Sequence, residues 1–123
     1  MPIKIKSWAN IHNQRYGNGN GQYVIGNLIS RAKSLPVKEM PMDHLNLYHL
    51  KIAAGESLRQ FVSHIKAVME ADLNCPIILD EEGYVMDGRH RIAKALLEGK
   101  ETIKYVRFEE TPAPDYYEDE KKS

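Results

Sequence analysis

Tyr84-Val-Met-Asp-Gly-Arg-His-Arg-Ile-Ala-Lys-Ala-Leu-Leu-Glu-Gly99 reads as a short strand, a glycine turn and a helix that opens on three cationic or cationizable side chains. Tyr84, Val85 and Met86 favour extended backbone, and Gly88 can take angles closed to other residues where strand must become helix. From Arg89 the composition changes to strong helix formers. Ile92, Ala95 and Leu96 fall at i, i+3, i+4 as an apolar stripe, and Gly99 is a C-terminal stop. Gly88 to His90 are therefore expected to form the helix's first turn.

A first turn leaves about four backbone N–H groups unpaired and carries the positive end of the helix dipole. Cations at Arg89, His90 and Arg91 oppose that dipole by a few tenths of a kcal/mol to about 1 kcal/mol each, an arrangement that suits an anion and above all phosphate. The bland alternative is that Arg89 and Arg91 are solvated, or paired with Asp87 and a nearby glutamate. That accounts for one arginine more readily than for the cluster.

Outward from this corner, 123 residues with 42% hydrophobic content suit one domain with a modest core. No continuous apolar run has membrane-spanning length, and Met1-Pro-Ile-Lys-Ile-Lys6 lacks the apolar region of a secretory signal, so a cytoplasmic protein without membrane contact is expected. A lone cysteine, Cys75, rules out an internal disulfide and a cysteine-rich metal site. Basic and acidic residues balance at 17 each, but unevenly along the chain. Residues 1–40 hold six Lys/Arg against Glu39, a balance of +5, and residues 109–123 hold six acids against two lysines, a balance of −4. The basic segment suits either nucleic-acid contact or solvated surface.

Gly17-Asn-Gly-Asn-Gly21 indicates a flexible loop, since no strand leads into it and no Gly-Lys-Ser/Thr follows to make it a phosphate loop. Val24, Ile25, Leu28 and Ile29 predict a short helix within Tyr23 to Lys33. Val37 to Met42 and Tyr48 to Ile52 are candidate strands, Pro41 restricting the first to an edge or to its end. His44 and His49 are expected on surface or loop rather than as metal ligands. Ser57-Leu-Arg-Gln60 is a capping box that starts a helix ending near Ala71. Its residues Leu58, Phe61, Val62, Ile65, Val68 and Met69 keep the spacing of one buried face, so Phe61 and Met69 are expected in the core and His64 and Lys66 outside. Pro76 to Asp80 is a nearly continuous apolar strand, Glu81-Glu-Gly83 a hairpin turn, and Thr102 to Phe108 an alternating strand. From Thr111 onward two prolines and dense charge predict a disordered tail.

The Pro76-Ile-Ile-Leu strand behind an amphipathic helix, with Gly88-Arg-His-Arg-Ile-Ala-Lys-Ala, Gly99 and a final strand following, resembles the ParB/sulfiredoxin superfamily over Val37 to Phe108. The resemblance implies an α/β (α+β) fold, a small mixed sheet flanked by helices, spanning residues 37–108. Residues 1–36 would precede it as an arm, a Gly/Asn-rich loop and a short helix, and residues 109–123 would follow as the acidic tail. In that superfamily the glycine–arginine corner binds nucleotide phosphates. Sulfiredoxins resemble this motif as Gly-Cys-His-Arg with a reactive cysteine, and Arg89 stands in that place here, so their redox chemistry is not expected. ParB partition proteins follow the corner with a helical DNA-binding region and a dimerization segment that this sequence does not show.

The expectation is thus a stand-alone nucleotide-binding domain, taking ATP or CTP with Mg²⁺, that hydrolyses or transfers the terminal phosphoryl group. Gly88 and the following amides would cradle phosphate while Arg89 and Arg91 neutralise its oxygens. His90, near the positive helix end, would favour its neutral form and act as donor or base. Asp87 would hold a metal, or orient or pair with an arginine. Glu70, Asp72, Asp43 and Lys51 are further candidates from neighbouring segments. The alternative class is a DNA-binding or partner-binding module that uses the same corner for backbone phosphates. A ParB-like nuclease ranks below it, because no compact acid cluster is evident.

Overall fold

A computed structural model describes residues 2–7, 15–18, 21–47, 50 and 57–117. Its centre is a four-stranded mixed sheet built from β3 (Lys38–Pro41), β4 (Ile77–Leu79), β5 (Val85–Asp87) and β6 (Thr102–Arg107) in the order β3-β6-β4-β5. β6 runs antiparallel to β3 and parallel to β4, and β5 returns antiparallel beside β4. The parallel pair needs a crossover, which α3 (Arg89–Leu97) supplies between β5 and β6. The α/β (α+β) class and the mixed sheet expected from the sequence are what the structure shows.

Both faces of this sheet are covered, which is why Ile77–Leu79 of β4 and Val85 and Met86 of β5 are apolar without alternation. Ile78, Met86, Val106 and Phe108 pack with Leu28 and Ala32 of α1 (Ile25–Ala32) on one face. Ile77, Leu79, Val85 and Ile103 pack with Ile92 and Ala95 of α3 on the other. Along β6 the alternation is the one expected, Ile103 and Tyr105 toward α3 and Val106 and Phe108 toward α1. At the β4–β5 turn the buried Asp80 carboxylate accepts from the amides of Glu82 and Tyr84 at 2.9 and 2.8 Å. β3 is an edge strand that ends on Pro41, as a residue without an N–H requires.

Three expectations are corrected. The Gly/Asn-rich stretch is not a plain loop in its described part, because β1 (Arg15–Asn18) pairs antiparallel with β2 (Gly21–Val24). Gly17 and Asn18 therefore stand in β1, and Gly21 opens β2. Tyr23 and Val24 consequently belong to β2, and the helix starts at Ile25. The tail is not disordered through residue 117. β7 (Tyr116–Tyr117) pairs with β2, and Asp115 accepts from the Val24 amide at 2.7 Å at the start of α1. Apolar content alone missed this anchoring, which is polar: Arg31 also faces Asp115, and the Tyr23 hydroxyl donates to the Pro112 carbonyl.

The third correction concerns α2 (Leu58–Glu70). Its capping box is present in full, Ser57 and Gln60 bonding each other's backbone N–H, and its C-cap is Ala71. The buried face is the opposite of the one expected. Ser63, His64 and Ala67 are buried, whereas Leu58, Phe61, Ile65 and Met69 are exposed, Leu58 at 78% and Met69 at 68%. Small side chains at 63 and 67 let α3 and the N-terminal segment approach closely; Ser63 donates to the Lys6 carbonyl at 2.7 Å. Lys66 does lie outside, reaching the Ile5 carbonyl. The strand expected at Tyr48 to Ile52 falls almost wholly outside the described residues, as does His49; His44 is exposed in a 3-10 turn, Met42–His44.

No helix in the described residues is long and apolar enough to cross a membrane. Gly88 has φ +116°, and a Cβ there would lie 2.4 Å from Ile77 Cγ2. Gly88→Ala should therefore lose about 2–4 kcal/mol in urea unfolding, combining left-handed strain with overpacking. Gly99→Ala, at φ +70° with open space around it, should lose only about 1 kcal/mol. Equal losses at the two positions would contradict this packing.

Candidate functional site

The site is built where β5 becomes α3. β5 ends on Asp87, buried between the sheet and the first turn of α3. A register shift between Ile78 and Leu79 places Asp87 opposite Ile78, so its carboxylate faces the α1 side of the sheet edge. Gly88 then turns the chain in the left-handed region, and its carbonyl accepts the first helical bond from Ile92 N–H at 2.9 Å. Glycine offers no capping side chain, and among the described residues no side chain caps the start of α3. The amides of Arg89, His90 and Arg91 thus begin the helix without helical acceptors.

The three cations expected to act together have three different roles in the geometry. Arg91 reaches back one turn to Asp87, Nη2 to Oδ2 at 2.7 Å, and its Nη1 donates to the carbonyls of Pro76 and Cys75. It is a clamp joining α3 to the loop before β4. Of the roles considered for Asp87, pairing with Arg91 is the one observed. His90 turns toward α2, where its Nε2 lies 2.9 Å from Nδ1 of the buried His64 and the rings stack 5.1 Å apart. One ring must donate and the other accept, so the contact requires at least one of these two nitrogens to be deprotonated. Arg89 is half-buried and makes no hydrogen bond or ion pair among the described residues.

His90 has its pKa lowered from 6.5, first by burial and then by His64, with Arg91 and Arg89 adding and Asp87 opposing. The neutral imidazole is thereby favoured, as expected, but through burial and His64 rather than through the helix end. His64 is the residue sequence reasoning missed, having been assigned to the solvent side of α2. The signal for it was the small-residue pattern Ser63 and Ala67, which marks the face that another helix can approach. Lys94 secures the same contact farther along, its Nζ donating to the Ala71 carbonyl at 2.6 Å and the Met69 carbonyl at 3.1 Å at the end of α2.

On the other side of the Arg91–Asp87 pair lies a cavity of about 460 Å³, lined chiefly by apolar side chains such as Ile29, Leu35, Ile78 and Val106. Asp72 and Cys75 also line it. Of the other candidates, Glu70 and Asp43 are exposed on separate elements, and Lys51 lies outside the described residues. Among the described residues no three His, Cys, Asp or Glu side chains converge as a metal site. No protein-family model, curated protein or solved structure matches the chain. The chemistry of the corner rests on its own geometry.

The lowered His90 pKa fixes a pH dependence. Below 6.5 the unfolded chain takes up a proton that the folded chain resists, so stability should fall as pH drops through that value and level off below the folded pKa. Urea unfolding between about pH 7.5 and about pH 5 should show this loss in wild type and a smaller one in His90→Asn. Identical profiles for the two proteins would contradict the buried histidine contact.

Proposed function

We propose that the chain binds the phosphate groups of a nucleotide at the start of α3. The observation that carries this is Arg89: a cationic side chain beside uncapped helix amides, without a carboxylate partner among the described residues. An anion there gains the amide hydrogen bonds, the positive helix end and a charge-assisted bond from the guanidinium. Gly88 brings the backbone to the sheet edge without a side chain in the way. Arg91 adds its charge to the corner from a fixed position, its hydrogen bonds already given to Asp87 and the loop carbonyls.

A nucleoside triphosphate, ATP or CTP, fits this reading, which agrees with the resemblance of Gly88-Arg-His-Arg91 to the ParB/sulfiredoxin corner. The apolar cavity behind Arg91 is large enough for a flat base. The donor set does not suit a Mg²⁺ ion held by the protein, because the Asp87 carboxylate is engaged by Arg91. The ion would arrive as the nucleotide's own counter-ion. If the terminal phosphoryl group is transferred, His90 is the group suited to orient or deprotonate the attacking oxygen, with His64 holding its ring. The second reading, DNA backbone phosphate, is favoured by Lys4 and Lys6, exposed on the segment bonded to Ser63 and Lys66 of α2.

Thermal unfolding with ATP, CTP, GTP and ADP, with and without Mg²⁺, separates these readings. A bound nucleotide at a hundred times its Kd should stabilise the wild type by about 2.7 kcal/mol. Arg89→Ala should abolish that gain while changing basal stability by less than about 0.5 kcal/mol. Arg91→Ala should instead lower basal stability by about 3 kcal/mol, because it strands the buried Asp87 charge. If no nucleotide stabilises the wild type, or Arg89→Ala responds equally, the nucleotide reading is wrong. A salt-sensitive shift with short DNA, lost in Arg89→Ala, would then favour the second. Release of inorganic phosphate by wild type and not by His90→Asn would establish turnover.

A further inference from the structure

The cavity of about 460 Å³ beside the Arg91–Asp87 pair has one row of the strand register as its floor. Ile78 of β4 is paired with Val106 of β6 on one side and with Asp87 of β5 on the other, and all three line the cavity. Val37, next to the β3 residue that faces Tyr105, continues the row. Neighbouring strands lie about 4.8 Å apart, so Val106 to Asp87 alone spans about 10 Å, the breadth of a fused two-ring base rather than of a single ring. Ile29 and Val37 line the cavity while 42% and 55% exposed, two large apolar side chains that an occupant would cover.

The cavity's polar groups are few, and that restricts the occupant. Asp87 and Arg91 are bonded to each other. Asp72 accepts from the Asn74 amide through Oδ1 at 2.9 Å, and its Oδ2 faces the weakly donating Cys75 thiol at 3.9 Å. Oδ2 is thus an acceptor open to a stronger donor. Lys33, exposed at the end of α1 and without an ion pair among the described residues, supplies a donor. A base placed here must satisfy its polar edge with these groups, because each polar group left unpaired against apolar walls weakens binding by roughly tenfold or more. Adenine meets the condition, its 6-amino group donating to a carboxylate and a ring nitrogen accepting from an ammonium. Guanine adds a carbonyl, a ring N–H and an amine that need further partners, and cytosine covers only part of the floor.

We propose that this cavity is the base subsite of the bound nucleotide and that it takes adenine, with Asp72 accepting from the 6-amino group; the proposal rests on the phosphate reading above for the rest of the ligand. Asp87 and Arg91, which line the cavity, also flank the turn from Gly88 to His90, so one ligand can reach both places.

Methyl resonances of the full chain, titrated with nucleosides that carry no phosphate, test the subsite apart from the phosphate site. Adenosine should move the methyls of Ile29, Val37 and Val106 saturably, and guanosine and cytidine should bind at least about tenfold more weakly. Purine riboside, which lacks the 6-amino group, should bind wild type about tenfold more weakly than adenosine, and Asp72→Ala should remove that difference. Ile29→Asp should weaken ATP by about tenfold and leave inorganic tripolyphosphate unchanged. If adenosine moves these methyls but Arg89→Ala leaves ATP binding unchanged, the phosphate reading fails and the subsite stands. If ATP, GTP, CTP and tripolyphosphate bind equally, or adenosine leaves the methyls unmoved, the subsite is overturned and the phosphate reading is untouched.

Discussion

Gly88 sits against Ile77 so closely that no side chain fits between them, and the corner follows from that contact. Ile77 is fully buried in the central strand pair, which fixes it in space. The turn at Gly88 must pass over it in the left-handed region, and this sets where α3 starts and which way it points. Arg91, one turn along, then falls beside Asp87 and the carbonyls before β4. His90 falls beside α2, and Arg89 is left on the outside of the first turn. A backbone constraint at one residue thus sends three adjacent basic side chains in three directions.

The same constraint explains the face that α2 buries. With His90 held at the start of α3 and Lys94 one turn farther on, α2 is met by two polar side chains rather than by an apolar surface. A histidine can answer the first, and open carbonyls at the end of the helix can answer the second. Packing that is polar and close selects Ser63, His64 and Ala67 for the inside. The large apolar residues are then excluded to the far side. Helix formation and helix orientation are separate problems in this chain: the capping box decides the first, and the partner surface decides the second.

Much of the fold was legible because the relevant signals are local. The strand–glycine–helix corner, the apolar strand Ile77–Leu79, the alternation in β6 and the Ser57 cap each depend on a few neighbouring residues. What was not legible depends on distant ones. Asp115 meets Val24 across 91 positions of sequence, and β7 pairs with β2. His64 meets His90 across 26 positions. At the corner the sequence placed strand, glycine and helix start in their order, but periodicity counts apolar side chains and could not say that Arg91 is engaged by Asp87. It also placed His64 outside, because six apolar residues at the spacing of one helix face ordinarily face the core.

In the function proposed, the start of α3 is an anion site in which backbone amides and Arg89 act together while Arg91 holds the architecture. Amide chemical shifts test this most directly, residue by residue. Titration with ATP should move the backbone amide resonances of Arg89, His90 and Arg91 saturably, leave the start of α1 unchanged, and lose the effect in Arg89→Ala. Unmoved resonances at these three amides under saturating nucleotide would contradict it.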